Sequence, residues 1–146
     1  MGLFDFASKL FGNKYDKDLK EINPVIDQIK AAYPSIQSLS NDELRQKTSE
    51  FKKQIKDAVG TQRKTISDLK EKVENTDLAL HEKESLYSEI DKIEKEIVSE
   101  IESQLNNILP EAFSIVKETA SRFSQGNIEV TANEFDRDLA AAYDNV

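Results

Sequence analysis

The 146-residue sequence has no cysteine. Disulfide frameworks, thiolate zinc sites and cysteine nucleophiles are therefore excluded. Glycine and proline are scarce, at four and three residues, so turns are few and the elements between them must be long. No apolar run approaches the roughly 20 residues needed to cross a bilayer. The N-terminus also lacks the apolar core and small-residue cleavage site of a signal peptide, and the expected location is the cytoplasm. Basic charge is in deficit: the formal net charge is −8. That argues against a nucleic-acid partner, because phosphate recognition needs a basic face.

Phosphate-loop chemistry is missing too. A P-loop needs a glycine followed by Lys and Ser or Thr, so that backbone N–H groups and the lysine hold the phosphates. Gly2, Gly12, Gly60 and Gly126 are followed by Leu, Asn, Thr and Asn, and none qualifies. His81 is the single histidine. It falls near an expected hairpin tip with no pocket around it, and it reads as a surface side chain rather than a catalytic base. The carboxylates from Glu82 to Glu102 recur at helical spacing and read as a solvated face rather than a cation site. No catalytic residue, cofactor site or metal site is expected within this chain.

What is present is helical periodicity, and the expected class is all-α. Residues 2 to 11, GLFDFASKLF, are expected to form a short amphipathic helix with Leu3, Phe4, Ala7, Leu10 and Phe11 on one face and Phe6 widening it. Such a helix packs in the core, lies on a membrane surface or docks on a partner. A second helix is predicted over Lys14 to Tyr33, kinked or broken near Pro24 and ended by Pro34. Next comes LSNDELRQKTSEF (39–51), in which Ser40 and Glu43 make a capping box.

A seam then steps by three and four through Leu44, Thr48, Phe51, Ile55, Ala58, Gln62, Ile66, Leu69 and Val73. Gly60 interrupts it at a cost of about 1 kcal/mol, too little to end so long a pattern. After a turn at Asn75, Thr76 and Asp77, the seam resumes at Leu86, Ile90, Ile93, Ile97, Ile101, Leu105 and Ile108. Two long amphipathic helices with a short connection predict a coiled-coil-like antiparallel hairpin, flanked by shorter helices.

Charge favours the pairing. Asn41 to Val73 carries nine Lys or Arg against six Asp or Glu, a net +3. Glu74 to Gln104 carries three Lys against ten acids, a net −7. Exposed pairs contribute only about 0–1 kcal/mol each, so the apolar seam must supply most of the stability. The seam can equally pair between chains, which leaves a homodimer open.

Pro110 is expected to bend or restart the chain. Ala112, Phe113, Val116, Ala120 and Phe123 are predicted as the buried face of the helix that follows, and Gly126 as its end. NIEV is too short to establish a sheet. Thr131 and Glu134 repeat the capping-box spacing before a last helix. The expected organisation is residues 1–38 with the amphipathic and second helices, 39–109 with the hairpin, and 110–146 with helices leading onward.

Three segments together resemble the extreme N-terminus of the SecA family of bacterial preprotein translocase ATPases. LFDFASKLFGNKYDKDLKEI is similar in layout to the family's opening helices. LSNDELRQKTSEFK is close to its LSDEEL-x-x-KT-x-EF pattern. ILPEAFSIVKETASR is close to its LIPEAFAVVREASKR. They cover about a third of the chain. In most family members the last two segments lie close together, so residues 56–107 are expected to be an insertion grown from a helical connection.

The resemblance implies a fragment of a longer protein that uses ATP and magnesium to push preproteins through a membrane channel. The family's adenine-recognising and P-loop motifs follow the PEAF helix, beyond Val146, so this fragment is expected to be inactive alone. The family's N-terminal helix contacts acidic phospholipids and the channel. That role maps onto Leu3, Phe4, Phe6, Ala7, Lys9, Leu10 and Phe11, with peripheral association at the bacterial inner membrane. The alternative is a free-standing helical-hairpin adaptor that binds partner proteins through its acidic arm or seam.

Overall fold

The computed structural model describes residues 14–126 and 128–143. The amphipathic segment 2–11 lies outside them. Among the described residues the chain is all-α, with α1 (Lys14–Gln37), α2 (Asn41–Ala58), α3 (Gly60–Asn75), α4 (Leu80–Gln125) and α5 (Glu134–Ala142). It divides into two compact units. One comprises Met1–Gln46 and Pro110–Val146; the other is Lys47–Leu109.

In the first unit, α1 does not stop at Pro34. It runs through both Pro24 and Pro34 to Gln37. Each proline removes one backbone donor at a cost of about 3 kcal/mol, and local contacts carry the helix past the second. Ile36 is buried, at 2% exposure. The Ser35 hydroxyl donates to the Ala32 carbonyl (2.7 Å), the Ser38 hydroxyl to the Ser35 carbonyl (2.8 Å), and the Leu39 N–H to the Ile36 carbonyl (3.2 Å). Carbonyls in the last turns of α1 thus find donors. The start of α2 follows the expected capping box: Ser40 N–H donates to Glu43 Oε2 (2.7 Å) and Glu43 N–H to Ser40 Oγ (3.3 Å). Leu44, one turn in, is buried.

Pro110 does not restart the chain either, since α4 passes through it unbroken. Propagation of a long helix tolerates one missing donor where tertiary packing holds both sides. The inward face of α4 in this unit is also not the expected one. Phe113, Val116 and Phe123 are 59%, 68% and 68% exposed, while Ser114 and Glu118 are buried. The reason is chemical: what faces α4 here is a row of carbonyl oxygens and a phenol from α1 and its exit, and only polar side chains can satisfy them. Gly126 ends the helix as expected, in the left-handed region at φ 71°.

The second unit is the hairpin. Gln54 Nε2 donates to Gln104 Oε1 at 2.9 Å, and Lys70 Nζ lies 3.8 Å from Glu94 Oε1. As the number rises along one arm it falls along the other, so the arms are antiparallel. Val59, Ile66, Val73, Ile90 and Ile108 are the buried apolar side chains of the seam.

Two expectations fail in detail. The first arm is two helices, because Val59 (φ −110°, ψ 8°) leaves helical geometry for one residue. Complete burial of Val59 offsets the interruption just before a poor helix former, and its carbonyl still accepts the Arg63 N–H at 3.0 Å. Leu105, expected in the seam, is half exposed. Gln104 takes the inward position and bonds Gln54 instead.

Candidate functional site

The densest set of specific interactions lies in the first unit, where the two segments 39–51 and 108–122 meet. Arg122 is its centre. Nε donates to Glu118 Oε1 (2.8 Å), Nη1 to Asn41 Oδ1 (2.7 Å), and Nη2 to the carbonyls of Leu39 (2.7 Å) and Gln37 (3.4 Å). A planar guanidinium is the side chain able to serve acceptors spread in this way. It places a cation on the last carbonyls of α1, where the helix dipole is negative.

Glu118 also accepts the Tyr33 hydroxyl at 2.8 Å, and Lys117 Nζ stands 3.9 Å from the Tyr33 ring centroid, within cation–π range. Hydrogen bonds from Arg122 and then Tyr33 hold the Glu118 carboxyl below the usual glutamate range. The same Glu118 acceptor, with burial and the carboxylate's charge, pushes the Tyr33 phenol up. One turn N-terminal, Ser114 Oγ lies 2.8 Å from the Pro110 carbonyl and 3.1 Å from the Ile29 carbonyl.

The far side of α2 fastens the segment before α5. Asn41 Nδ2 donates to the Glu129 carbonyl at 2.9 Å. Asp42 accepts both the N–H (2.8 Å) and the hydroxyl (2.6 Å) of Thr131, which lower its carboxyl pKa. Arg45 forks onto both oxygens of Asp136. That pairing, with the Asn133 N–H, holds the Asp136 carboxyl at about 2. The capping box of α5 is therefore not Thr131 with Glu134. Asp42 has taken Thr131, and Asn133 with Asp136 forms the box, with bonds of 3.0 and 2.9 Å.

Chemically this arrangement is a clamp. Its acids accept from fixed donors, and among the described residues no buried side-chain polar atom lacks a partner. No cluster among the described residues could hold a metal ion, and no described helix is long and apolar enough to cross a membrane. His81, the second residue of α4, against expectation lines an open hollow of about 300 Å³ with Lys72, Leu78, Glu82, Ser85 and Leu86. Its neighbouring carboxylate, Glu82, accepts the Ala79 N–H at 2.9 Å and so serves the helix start. The predicted contact residues Leu3, Phe4, Phe6, Ala7, Lys9, Leu10 and Phe11 lie outside the described residues. Sequence reasoning missed the clamp: its partners are 81 to 91 residues apart, and no local pattern links them.

Residues 7–143 match the SecA DEAD-like domain family. The chain is 50% identical over its full length to the protein translocase subunit SecA of Parabacteroides distasonis, covering 13% of that protein. It is 51% identical over 97% of its length to that of Phocaeicola vulgatus, again 13% of the relative, and 43% identical over 82% of its length to that of Chloroherpeton thalassium, 12% of the relative. The chain thus spans about an eighth of the curated relatives it matches, and the full-length alignment includes the hairpin at 56–107. No solved structure matches it.

Proposed function

Because the chain belongs to the SecA family, we propose that it is the N-terminal helical part of an ATP-driven motor that moves secretory preproteins through a membrane channel. The observation that carries this reading is the 50% identity to a SecA subunit across the whole chain. The segment contributes structure rather than bond chemistry. The Arg122 clamp fixes the exit of α4 and the start of α5, which lead toward the rest of the motor, where ATP and magnesium act. Residues 56–107 are a helical arm grown between two family segments. The residues we propose for contact with acidic phospholipids or the channel, on the cytoplasmic side of the inner membrane, are Leu3, Phe4, Phe6, Ala7, Lys9, Leu10 and Phe11.

The reading is tested on the gene downstream of codon 146. A G-x-x-x-x-G-K-[ST] motif is expected there. A stop codon in its place would favour the free-standing adaptor. The membrane contact is tested on acidic liposomes: residues 1–146 should bind them better than the same chain lacking 2–11, and equal binding removes the contact.

A further inference from the structure

The acidic arm has a second apolar face, distinct from the seam. Leu80, Tyr87, Val98 and Leu105 are 75%, 52%, 56% and 50% exposed. At about 100° per residue, positions 80, 87, 98 and 105 fall within roughly 20° of one another on α4. They form a line about 37 Å long, at 1.5 Å rise per residue. The seam residues Ile90 and Ile108 lie roughly 80° away on the same helix. Exposed acids border this line and interrupt it: Glu84 and Glu102 lie roughly 40–60° from it, while Asp91, and Glu94 paired to Lys70, fall within roughly 40° of it between Tyr87 and Val98. Midway along, Asp91, Glu94, Lys95 and Val98 line an open hollow of about 330 Å³.

We propose that this face docks a cationic amphipathic helix from a partner protein. An amphipathic helix lays its apolar face along such a line, and the hairpin's acid excess, a net −4 over residues 41–104 after the basic arm is counted, selects a basic partner and speeds its encounter. A second copy is a poor occupant. Its own acidic face would set −7 against −7, and its basic arm, among the described residues from 41 to 75, exposes no large apolar side chain.

The probe is a labelled Leu/Lys amphipathic peptide of roughly 20 residues, titrated onto the 146-residue chain by fluorescence anisotropy. Saturable binding that weakens with salt is expected, with a scrambled peptide of the same composition binding far less. In the double variant V98D/L105D the arm is more acidic but its apolar line is cut. Affinity should fall about tenfold or more. Both side chains are exposed, and unchanged far-ultraviolet circular dichroism checks the fold. The triple variant E84K/D91K/E102K, with the apolar line intact, should lose binding as well. Equal or tighter binding by V98D/L105D overturns the proposal, since charge alone would then explain capture. So does a wild-type dimer in sedimentation equilibrium that V98D/L105D dissolves, because a second copy would then be the occupant.

Discussion

Arg122 Nη2 lies 2.7 Å from the carbonyl oxygen of Leu39, 83 residues away in the chain. The same guanidinium holds Glu118 and Asn41, so one side chain joins α4, the exit of α1 and the cap of α2.

Replacing Arg122 with Met keeps the stem and removes the donors. Glu118, nearly buried, is left with Tyr33 alone, and two carbonyls lose their partner. A loss of about 3 kcal/mol is expected, the lower end of what breaking a shielded pair costs. Arg122→Lys should recover less than half, because an ammonium cannot fork. Urea denaturation followed by circular dichroism measures both.

Tyr33 should ionise late. Glu118 raises its phenol above the ordinary value near 10. Stability from this contact is therefore present below the unfolded pKa and is lost as pH rises through the folded one. Ultraviolet difference titration against Tyr33→Phe isolates this tyrosine. In Glu118→Gln its titration should move down toward 10.

Acid should loosen the α2–α5 contact. Asp136 protonates near 3.8 when unfolded and at about 2 when folded. As pH falls from about 4 to about 2, the unfolded chain takes up the proton first, and stability declines through that window. Asp42 and Glu43, also lowered, add to the decline. Arg45→Gln removes the main cause at Asp136. Urea midpoints of this variant should vary less between pH 4 and 2 than those of the unaltered chain.

The glycines at 60 and 126 should respond oppositely to alanine. A Cβ meets nothing within 4 Å at either position, so backbone conformation alone decides. Gly60 opens α3 with an ordinary backbone, and Gly60→Ala should stabilise by about 0.5–1 kcal/mol. Gly126 sits at φ 71°, and Gly126→Ala should destabilise by about 1 kcal/mol. Thermal melts of both variants test the pair.

Val59 is the best-shielded apolar side chain of the hairpin, with no exposed area. Val59→Ala removes two methyl groups and leaves a void, with an expected loss of about 2 kcal/mol. Hydrogen exchange should register that loss in the hairpin amides. Unchanged protection would mean that the break at Val59 closes over the void.

The helices of the described residues, the antiparallel hairpin, the Ser40–Glu43 box and the stop at Gly126 were legible in the sequence, because each rests on local chemistry or on a period of three and four. The failures share a cause. Whether Pro34 or Pro110 ends a helix depends on what packs beyond it, not on the proline. Phe113, Val116 and Phe123 have the spacing of a buried face, yet spacing does not say which side of a helix meets a partner. Here carbonyls and a phenol from α1 drew Ser114, Glu118 and Arg122 inward. Thr131 had the spacing of a cap until Asp42, 89 residues away, claimed it. Periodicity by itself determined which stretches of the described residues are helical and that the arms pair. Only the tertiary structure decided which faces pair and which side chains carry the junction, because a hydrogen bond is specified by the position of its acceptor, and these acceptors come from distant parts of the chain.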